Sequence, residues 1–175
     1  ISIYDKRIDT RYLIRDRVGE KPLYYYENNK CLIFGSEIKS ILESGVERKL
    51  NVEALDSFIS YNYVVPPLTM FSGINHVMPG TFLTIKNSNV VSKSWWDVSK
   101  IKPQEQPEEY WVNSLKNTMD DSTRIRLRAD VPFGAFLSGG VDSSSVVGYM
   151  TKNLDKPVKT FSIGFNDEKY DESPY

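Results

Sequence analysis

Apolar and polar positions alternate in two different rhythms along the chain. Residues 11–15 and 23–26 are aromatic and β-branched runs, and a polar stretch containing Gly19 and Pro22 lies between them. They predict two strands joined by a tight loop, with 30–34 as a third strand. Ser36 is placed to cap a short helix over 37–43, whose Ile38, Ile41 and Leu42 share one face before Gly45 stops it. Asn51 is placed to cap a second helix, with Val52, Leu55, Phe58 and Ile59 at helical spacing. Pro66-Pro67 then ends that helix, because proline supplies no backbone donor and disfavours α geometry in the preceding residue. After an irregular stretch, 81–86 alternates, Asn87-Ser88-Asn89 turns and 90–98 returns, the pattern of a β-hairpin.

The rhythm changes beyond 99–106, a polar stretch with Pro103 that reads as a linker. Pro107 suits a first helical position, Glu108 and Glu109 suit the positive end of a helix, and Arg124, Arg126 and Arg128 suit its negative end. Trp111, Leu115, Met119 and Ser122 mark one face of that helix. A strand over 131–137, a helix over 143–153 and a strand over 158–165 follow. This order predicts a β-loop-α-β unit, the opening of a parallel sheet, so the expected fold class is α/β.

Composition narrows the function classes. Among 175 residues, 40% are hydrophobic and 26% charged, ordinary for a globular protein. Twenty-two basic against 23 acidic residues leave a formal net charge of -1, so no basic field draws the chain to nucleic acid or to an anionic membrane. The single cysteine, Cys31, cannot form an internal disulfide, and no Cys/His cluster suggests structural zinc. No apolar run approaches the roughly 20 residues of a membrane-spanning helix, and Ile1-Ser2-Ile3-Tyr4-Asp5 carries no basic region, apolar stretch or cleavage site of a signal peptide. A reducing cytoplasm is the expected location. Ile1 reads as mid-strand and the chain stops soon after a strand, so it is expected to be part of a longer protein.

The densest chemistry lies in Ser138-Gly139-Gly140-Val141-Asp142-Ser143-Ser144, a strand end running straight into a helix. Such a junction gathers backbone N–H donors at the positive end of the helix dipole, where phosphate is stabilised. Gly139 and Gly140 let the backbone approach a ligand, and the hydroxyls of Ser138, Ser143 and Ser144 can donate to phosphate oxygens. Asp142 would oppose a polyanion without a bridging cation, so the residues point to ATP with Mg²⁺ bound at Asp142. The run is not of the Walker type, since no lysine enters before Lys152.

On these residues the chain resembles the PP-loop ATPases, which cleave ATP between its α and β phosphates. Arg15-Asp16-Arg17-Val18-Gly19-Glu20-Lys21-Pro22-Leu23-Tyr24-Tyr25 and Phe34-Gly35-Ser36-Glu37-Ile38-Lys39 resemble the later part of a class II glutaminase domain of the asparagine synthetase family. The helix over 51–62, the Pro66-Pro67 segment and Met78-Pro79-Gly80-Thr81 are similar to the stretch that follows in that family. Thr160-Phe161-Ser162-Ile163-Gly164-Phe165 and Tyr170-Asp171-Glu172-Ser173-Pro174-Tyr175 extend the likeness. The resemblance implies a glutaminase portion over 1–98, a linker over 99–106 and the beginning of an ATP-dependent synthetase portion over 107–175. It implies glutamine hydrolysis in one domain, with the ammonia attacking a β-aspartyl-AMP made from aspartate and ATP in the other. Leu137 and Ile163 match positions that contact the adenosine portion of ATP; Ser138 to Ser144 match the pyrophosphate site, and Asp142 a Mg²⁺ ligand. The nucleophile of that family is an N-terminal cysteine, expected upstream of Ile1, so no catalytic residue is expected within the chain and the chain alone is expected to be inactive. A homodimer of the full-length protein is left open. So are an amidotransferase or amide-forming cyclase acting on another carboxylate, and a non-catalytic remnant.

Remaining candidates read as structural. Cys31 is expected to be a buried, inert thiol in mid-strand, and His76, the sole histidine, a packed or solvated loop residue. Arg15, Asp16 and Arg17 read equally as an ion-paired strand end supporting the glutaminase site or as a structural turn. Glu37 reads as a first-turn helix acid. The Tyr24-Tyr25-Tyr26, Tyr61-Asn62-Tyr63 and Trp95-Trp96 clusters read as core or domain-interface packing.

Overall fold

The period-2 pattern of the first hundred residues forms two antiparallel sheets. The computed structural model describes residues 1–87 and 89–166, and the chain divides into two compact units, Ile1–Lys102 and Pro103–Tyr175. In the first unit, β1 (Ser2–Asp5), β2 (Thr10–Ile14), β6 (Thr81–Lys86) and β7 (Asn89–Ser94) make a sheet in the order β1-β2-β6-β7. A second sheet has the order β4-β3-β5, from β3 (Tyr24–Glu27), β4 (Leu32–Gly35) and β5 (Ile74–His76). Leu13 and Leu83 from the first sheet and Leu23 and Val77 beside the second form one buried cluster, with Tyr25, Leu32, Ile85 and Val90 packed against it. That is a sandwich core, in which the inward positions of both sheets meet.

The Tyr24-Tyr25-Tyr26 run shows how alternation builds the next layer. Tyr25 faces the inter-sheet core, whereas Tyr24 and Tyr26 turn to the opposite face and pack on Ile41, Val46 and Ile74. Helix α1 (Ile38–Leu42) supplies Ile38, Ile41 and Leu42 to that second cluster. Thr69, almost fully buried, pins the adjoining loop through its hydroxyl, which lies 2.8 Å from the carbonyl of Ile74.

Several sequence expectations change in three dimensions. Strands β2 and β3, predicted to be joined by a tight loop, lie in different sheets: β2 pairs with β1 and β6, β3 with β4 and β5, so the loop between them crosses from one sheet to the other. Glu37 rather than Ser36 occupies the cap of α1, and its side chain makes no capping bond. It pairs instead with Lys39 at 2.6 Å. Asn51 does cap α2 (Val52–Tyr61), accepting from the Ala54 N–H at 3.2 Å. Its other end is set by Asn62 in the left-handed conformation, φ 59°, before Pro66-Pro67, whose peptide bond is cis. Fully buried Ala54 anchors the helix, while Val52, Phe58 and Ile59 are exposed. The hairpin β6–β7 forms with Asn87 at φ 49°, and Ser88 lies outside the described residues. Its second strand stops at Ser94, and a 3-10 turn, Val98–Lys100, follows.

In the second unit, helix α3 is Glu108–Arg126 with Pro107 at its cap, one position earlier than predicted. Its buried contact is Thr123, whereas Trp111 and Leu115 of the predicted face are exposed. Strand β8 is only Ala135–Phe136 and β9 only Thr160–Phe161, because they share a parallel ladder of two residue pairs. Between them, α4 (Val141–Lys152) begins two residues before the predicted start. The fold class is mixed α/β, antiparallel in the first unit and parallel in the second.

Candidate functional site

The loop 138–144 emerges from the C-terminal end of β8 and opens α4, the position where ligands sit in parallel α/β sheets. Two contacts fasten its root. The Leu137 N–H donates to the Phe161 carbonyl at 2.9 Å, and the Ser162 hydroxyl donates to the Leu137 carbonyl at 2.5 Å. Gly134 permits the close approach of the strands: a Cβ there would lie 2.6 Å from the Lys159 carbonyl oxygen and 2.7 Å from the Phe161 ring. Neither Gly134 nor Ser162 stands out in the sequence as a functional residue; an invariantly small or hydroxylated strand residue beside a glycine-rich loop is the kind of signal that could point to them.

Within the loop, Gly139 sits at φ 80°, a conformation that glycine adopts without strain. Gly140 is the cap of α4 and lends no side chain. The first-turn N–H groups of Val141, Asp142 and Ser143 have no helical acceptor, and Ser144 is the first to donate back, to the Gly140 carbonyl at 3.0 Å. The Ser138 and Ser143 hydroxyls are 3.2 Å apart, and Ser143 also reaches the Gly140 carbonyl at 3.1 Å. Asp142 is exposed in the first helical turn. Ser138 and Ser144 are exposed beside it; Leu137 is half-buried and Ile163 exposed, both just past the ends of neighbouring parallel strands. The fold therefore brings all the sequence-marked loop residues to one strand edge. Open N–H groups, exposed hydroxyls and a glycine-walled backbone form a donor set whose chemistry fits a polyphosphate. Among the described residues no cluster of three or more His, Cys, Asp or Glu side chains could hold a metal by itself. A magnesium ion at Asp142 would thus take phosphate and water oxygens as its other ligands, in keeping with its usual preference.

The far end of α4 is held by Asp120 of α3. Its carboxylate accepts from Lys152 at 2.5 Å and from the Asn153 amide at 2.6 Å. The Lys152 bond, then the Asn153 bond, holds the Asp120 carboxyl below the usual aspartate range. No motif marks this clamp, since its partners lie far apart in sequence.

In the first unit, a cavity of about 790 Å³ is lined by Arg15, Asp16, Arg17, Leu23, Phe82 and Trp95 among others. At its rim Arg15 and Asp16 bond backbone groups of a turn. The Arg15 guanidinium donates to the carbonyls of Val77 at 2.8 Å, Gly19 at 3.0 Å and Lys21 at 3.1 Å. Asp16 accepts from the N–H groups of Glu20 at 2.8 Å and Lys21 at 3.1 Å. The Lys21 bond, followed by that from Glu20, holds its carboxyl below the ordinary range. Trp95, exposed, donates its indole N–H to the Arg15 carbonyl at 3.3 Å, with Arg17 over its ring. Cys31 is exposed and precedes β4, correcting the expectation of a buried mid-strand thiol: its neighbours Asn28 and Lys30 form the β3–β4 turn rather than the ladder. His76 lies in β5, not in a loop, with its ring 4.6 Å from that of Tyr24. Burial, then the Arg15 charge, pushes its pKa below the ordinary histidine value, and its buried Nδ1 has no hydrogen-bond partner among the described residues.

Comparison with known proteins follows the same division of the chain. Residues 1–96 match the family described as glutamine amidotransferase domain, and residues 114–175 match asparagine synthase. The chain belongs to the asparagine synthetase family. Among its relatives, asparagine synthetase [glutamine-hydrolyzing] 1 of Bacillus subtilis is 34% identical over 97% of this chain and 27% of its own length. A putative asparagine synthetase [glutamine-hydrolyzing] 2 of Methanocaldococcus jannaschii is 34% identical over 99% of the chain and 34% of its own length. An amidase of Penicillium rubens, chyE, is 31% identical over 88% of the chain and 25% of its own length. The chain therefore spans about a quarter to a third of the curated relatives it matches. The 170–175 motif lies outside the described residues. No helix among the described residues is long and apolar enough to cross a membrane.

Proposed function

We propose that the protein acts in ATP-dependent, glutamine-hydrolysing synthesis of asparagine, with 1–98 forming part of the glutaminase domain, 99–106 a linker and 107–175 the opening of the synthetase domain. The observation that carries this reading is the loop 138–144 at the C-terminal end of a parallel strand, in a chain whose earlier residues match a glutamine amidotransferase domain. The loop N–H groups, with Ser138 and Ser144, hold the β and γ phosphates of ATP, and Leu137 and Ile163 flank its adenosine. Magnesium, held at Asp142, supplies charge neutralisation to the phosphates when bound. A carboxylate oxygen of aspartate attacks the α phosphorus, the bond to the bridging oxygen breaks and pyrophosphate leaves; ammonia from glutamine then displaces AMP from the acyl carbon. Asparagine, AMP, pyrophosphate and glutamate are the products, and the setting is cytoplasmic. The nucleophile that releases ammonia is supplied by an N-terminal cysteine rather than by Cys31, which sits on the β3–β4 turn.

The test is to incubate the full-length protein with ATP, Mg²⁺, aspartate and glutamine and to follow asparagine and pyrophosphate, beside Asp142→Ala. Equal amounts of both products, reduced at least a hundredfold in the variant, are expected; loss of one charge-stabilising group in a phosphoryl site has about this effect. Full activity in Asp142→Ala refutes the metal assignment. Similarity to the amidase supports a second reading, in which another carboxylate is activated. Pyrophosphate formed with other carboxylates but not with aspartate would favour it.

A further inference from the structure

Resting on the reading of 138–144 as a phosphate site, we propose that Asp120 is a positioning residue for ATP. From α3 it holds the far end of α4 through Asn153, and so sets the direction in which the first turn of α4 presents its N–H groups. The two ends of α4 are fastened differently. At its start the chain passes through Gly139, at φ 80°, and Gly140, so the helix is joined to β8 by the two residues with the widest backbone freedom. A rod hinged at one end needs a second fixed point to have a direction. Apolar packing supplies little of it: Met150 alone is buried on α4 and Thr123 alone on α3, and hydrophobic contact is non-directional. Hydrogen bonds are directional, and they supply the rest.

Asn153, half-buried at the C-terminal cap of α4, uses both protons of its side-chain amide for this purpose. One goes to the Tyr149 carbonyl of its own last turn at 2.9 Å, the other to the Asp120 carboxylate at 2.6 Å. Its backbone N–H closes on the Met150 carbonyl at 3.1 Å, so the residue that reaches α3 is itself tied into α4. An acid here does not serve the stability of α4, because the C-terminal end of a helix is its negative end. Lys152, at 2.5 Å from Asp120, offsets that charge, but its side chain is 63% exposed and exposed pairs contribute little. What Asp120 adds is therefore a fixed point. The 12 residues of α4 span roughly 18 Å. Freeing the far end by about 3 Å, one hydrogen-bond length, swings the axis by about 10°, the margin within which a binding constellation must be held.

The experiment uses the full-length protein with Asp120→Ala, Asp120→Asn, Lys152→Met, Asn153→Ala and the Asp120→Ala/Asn153→Ala double variant. Hydrogen exchange without ligand is read on peptides spanning 141–153. Calorimetry with Mg²⁺ reads the affinity for ATP and for inorganic pyrophosphate, at a temperature well below the thermal midpoint of every variant. Asp120→Ala and Asn153→Ala are each expected to speed exchange in α4 about fivefold, the loss of one net hydrogen bond, and to weaken both ligands about tenfold. Because both remove the same bond, the double variant should lie within about twofold of either single one. Asp120→Asn keeps an oxygen for Asn153 and should stay within about threefold of the parent; Lys152→Met should stay within about twofold. A merely structural Asp120 would lower the thermal midpoint and leave the affinity of the folded protein unchanged. That result overturns the proposal, as does an asparagine variant as weak as the alanine one, or losses that multiply in the double variant. A parent that binds neither ATP nor pyrophosphate overturns the nucleotide reading, whereas faster α4 exchange in Asp120→Ala, restored in Asp120→Asn, still upholds the fixed point, so the two failures are distinguishable.

Discussion

Replacing Gly80 by alanine should cost the first unit about 3 kcal/mol. Gly80 joins three segments: its N–H donates to the Asp16 carbonyl at 2.8 Å, and its own carbonyl accepts from Trp95 at 2.9 Å and Trp96 at 3.1 Å. Its φ of 61° is left-handed, where an L side chain costs roughly 1 kcal/mol. A Cβ would also lie 2.4 Å from the Trp96 carbonyl oxygen, a backbone atom that cannot swing aside. Relieving that overlap moves the chain past Ser94 and breaks the bonds from Trp95 and Trp96, each worth about 1 kcal/mol net. Gly45 is the control. Its φ is 89°, but an added Cβ meets nothing within 4 Å, so Gly45→Ala isolates the dihedral cost of about 1 kcal/mol. For a unit of this size each kcal/mol lowers the midpoint by roughly 4–8 °C. Scanning calorimetry, with hydrogen exchange of β6 and β7 to identify the transition, should show a fall of at least about 12 °C for Gly80→Ala and about 5 °C for Gly45→Ala. Equal shifts in the two variants would refute the steric part of the reasoning.

Two further outcomes follow from the packing. Gly134→Ala should force β8 away from β9 at the Lys159 carbonyl and weaken ATP binding about tenfold or more, with hydrogen exchange in the first unit unchanged; unaltered affinity by calorimetry would show that the strands tolerate the methyl group. His76, whose folded pKa is lowered by burial and then by Arg15, favours the neutral ring in the folded state. The unfolded chain therefore binds the proton more readily, and the contribution of His76 is complete above the ordinary histidine value of about 6.5 and declines as pH falls below it. Denaturant titrations between pH 7.5 and roughly 5 should show that decline reduced in His76→Phe, which keeps the ring against Tyr24; parallel pH profiles would refute it.

Much of the candidate site was legible in the sequence because its information is local. Ser138 to Ser144 are contiguous, glycine marks the left-handed position, and a strand running into a helix needs only neighbouring residues to be recognised. The same holds for Asn51, whose capping partner Ala54 is three residues away. Cys31 was misread because a strand boundary depends on the turn that Asn28 organises and on a partner strand, not on the run itself. The helix over 51–62 ends where the sequence places it, but left-handed Asn62 stops it before Pro66-Pro67, the louder signal, is reached.

By itself the sequence determined the mixed α/β class, the hairpin turning at Asn87-Ser88-Asn89 and a glycine-rich loop running into a helix, since periodicity, turn residues and capping act over a few residues. Tertiary structure alone decided that β2 and β3 lie in different sheets, that Arg15 gathers three carbonyls, and that Asp120 clamps α4. Sheet partnership and side-chain direction depend on contacts between residues distant along the chain. The free energy of such contacts exists only once the chain has closed on itself.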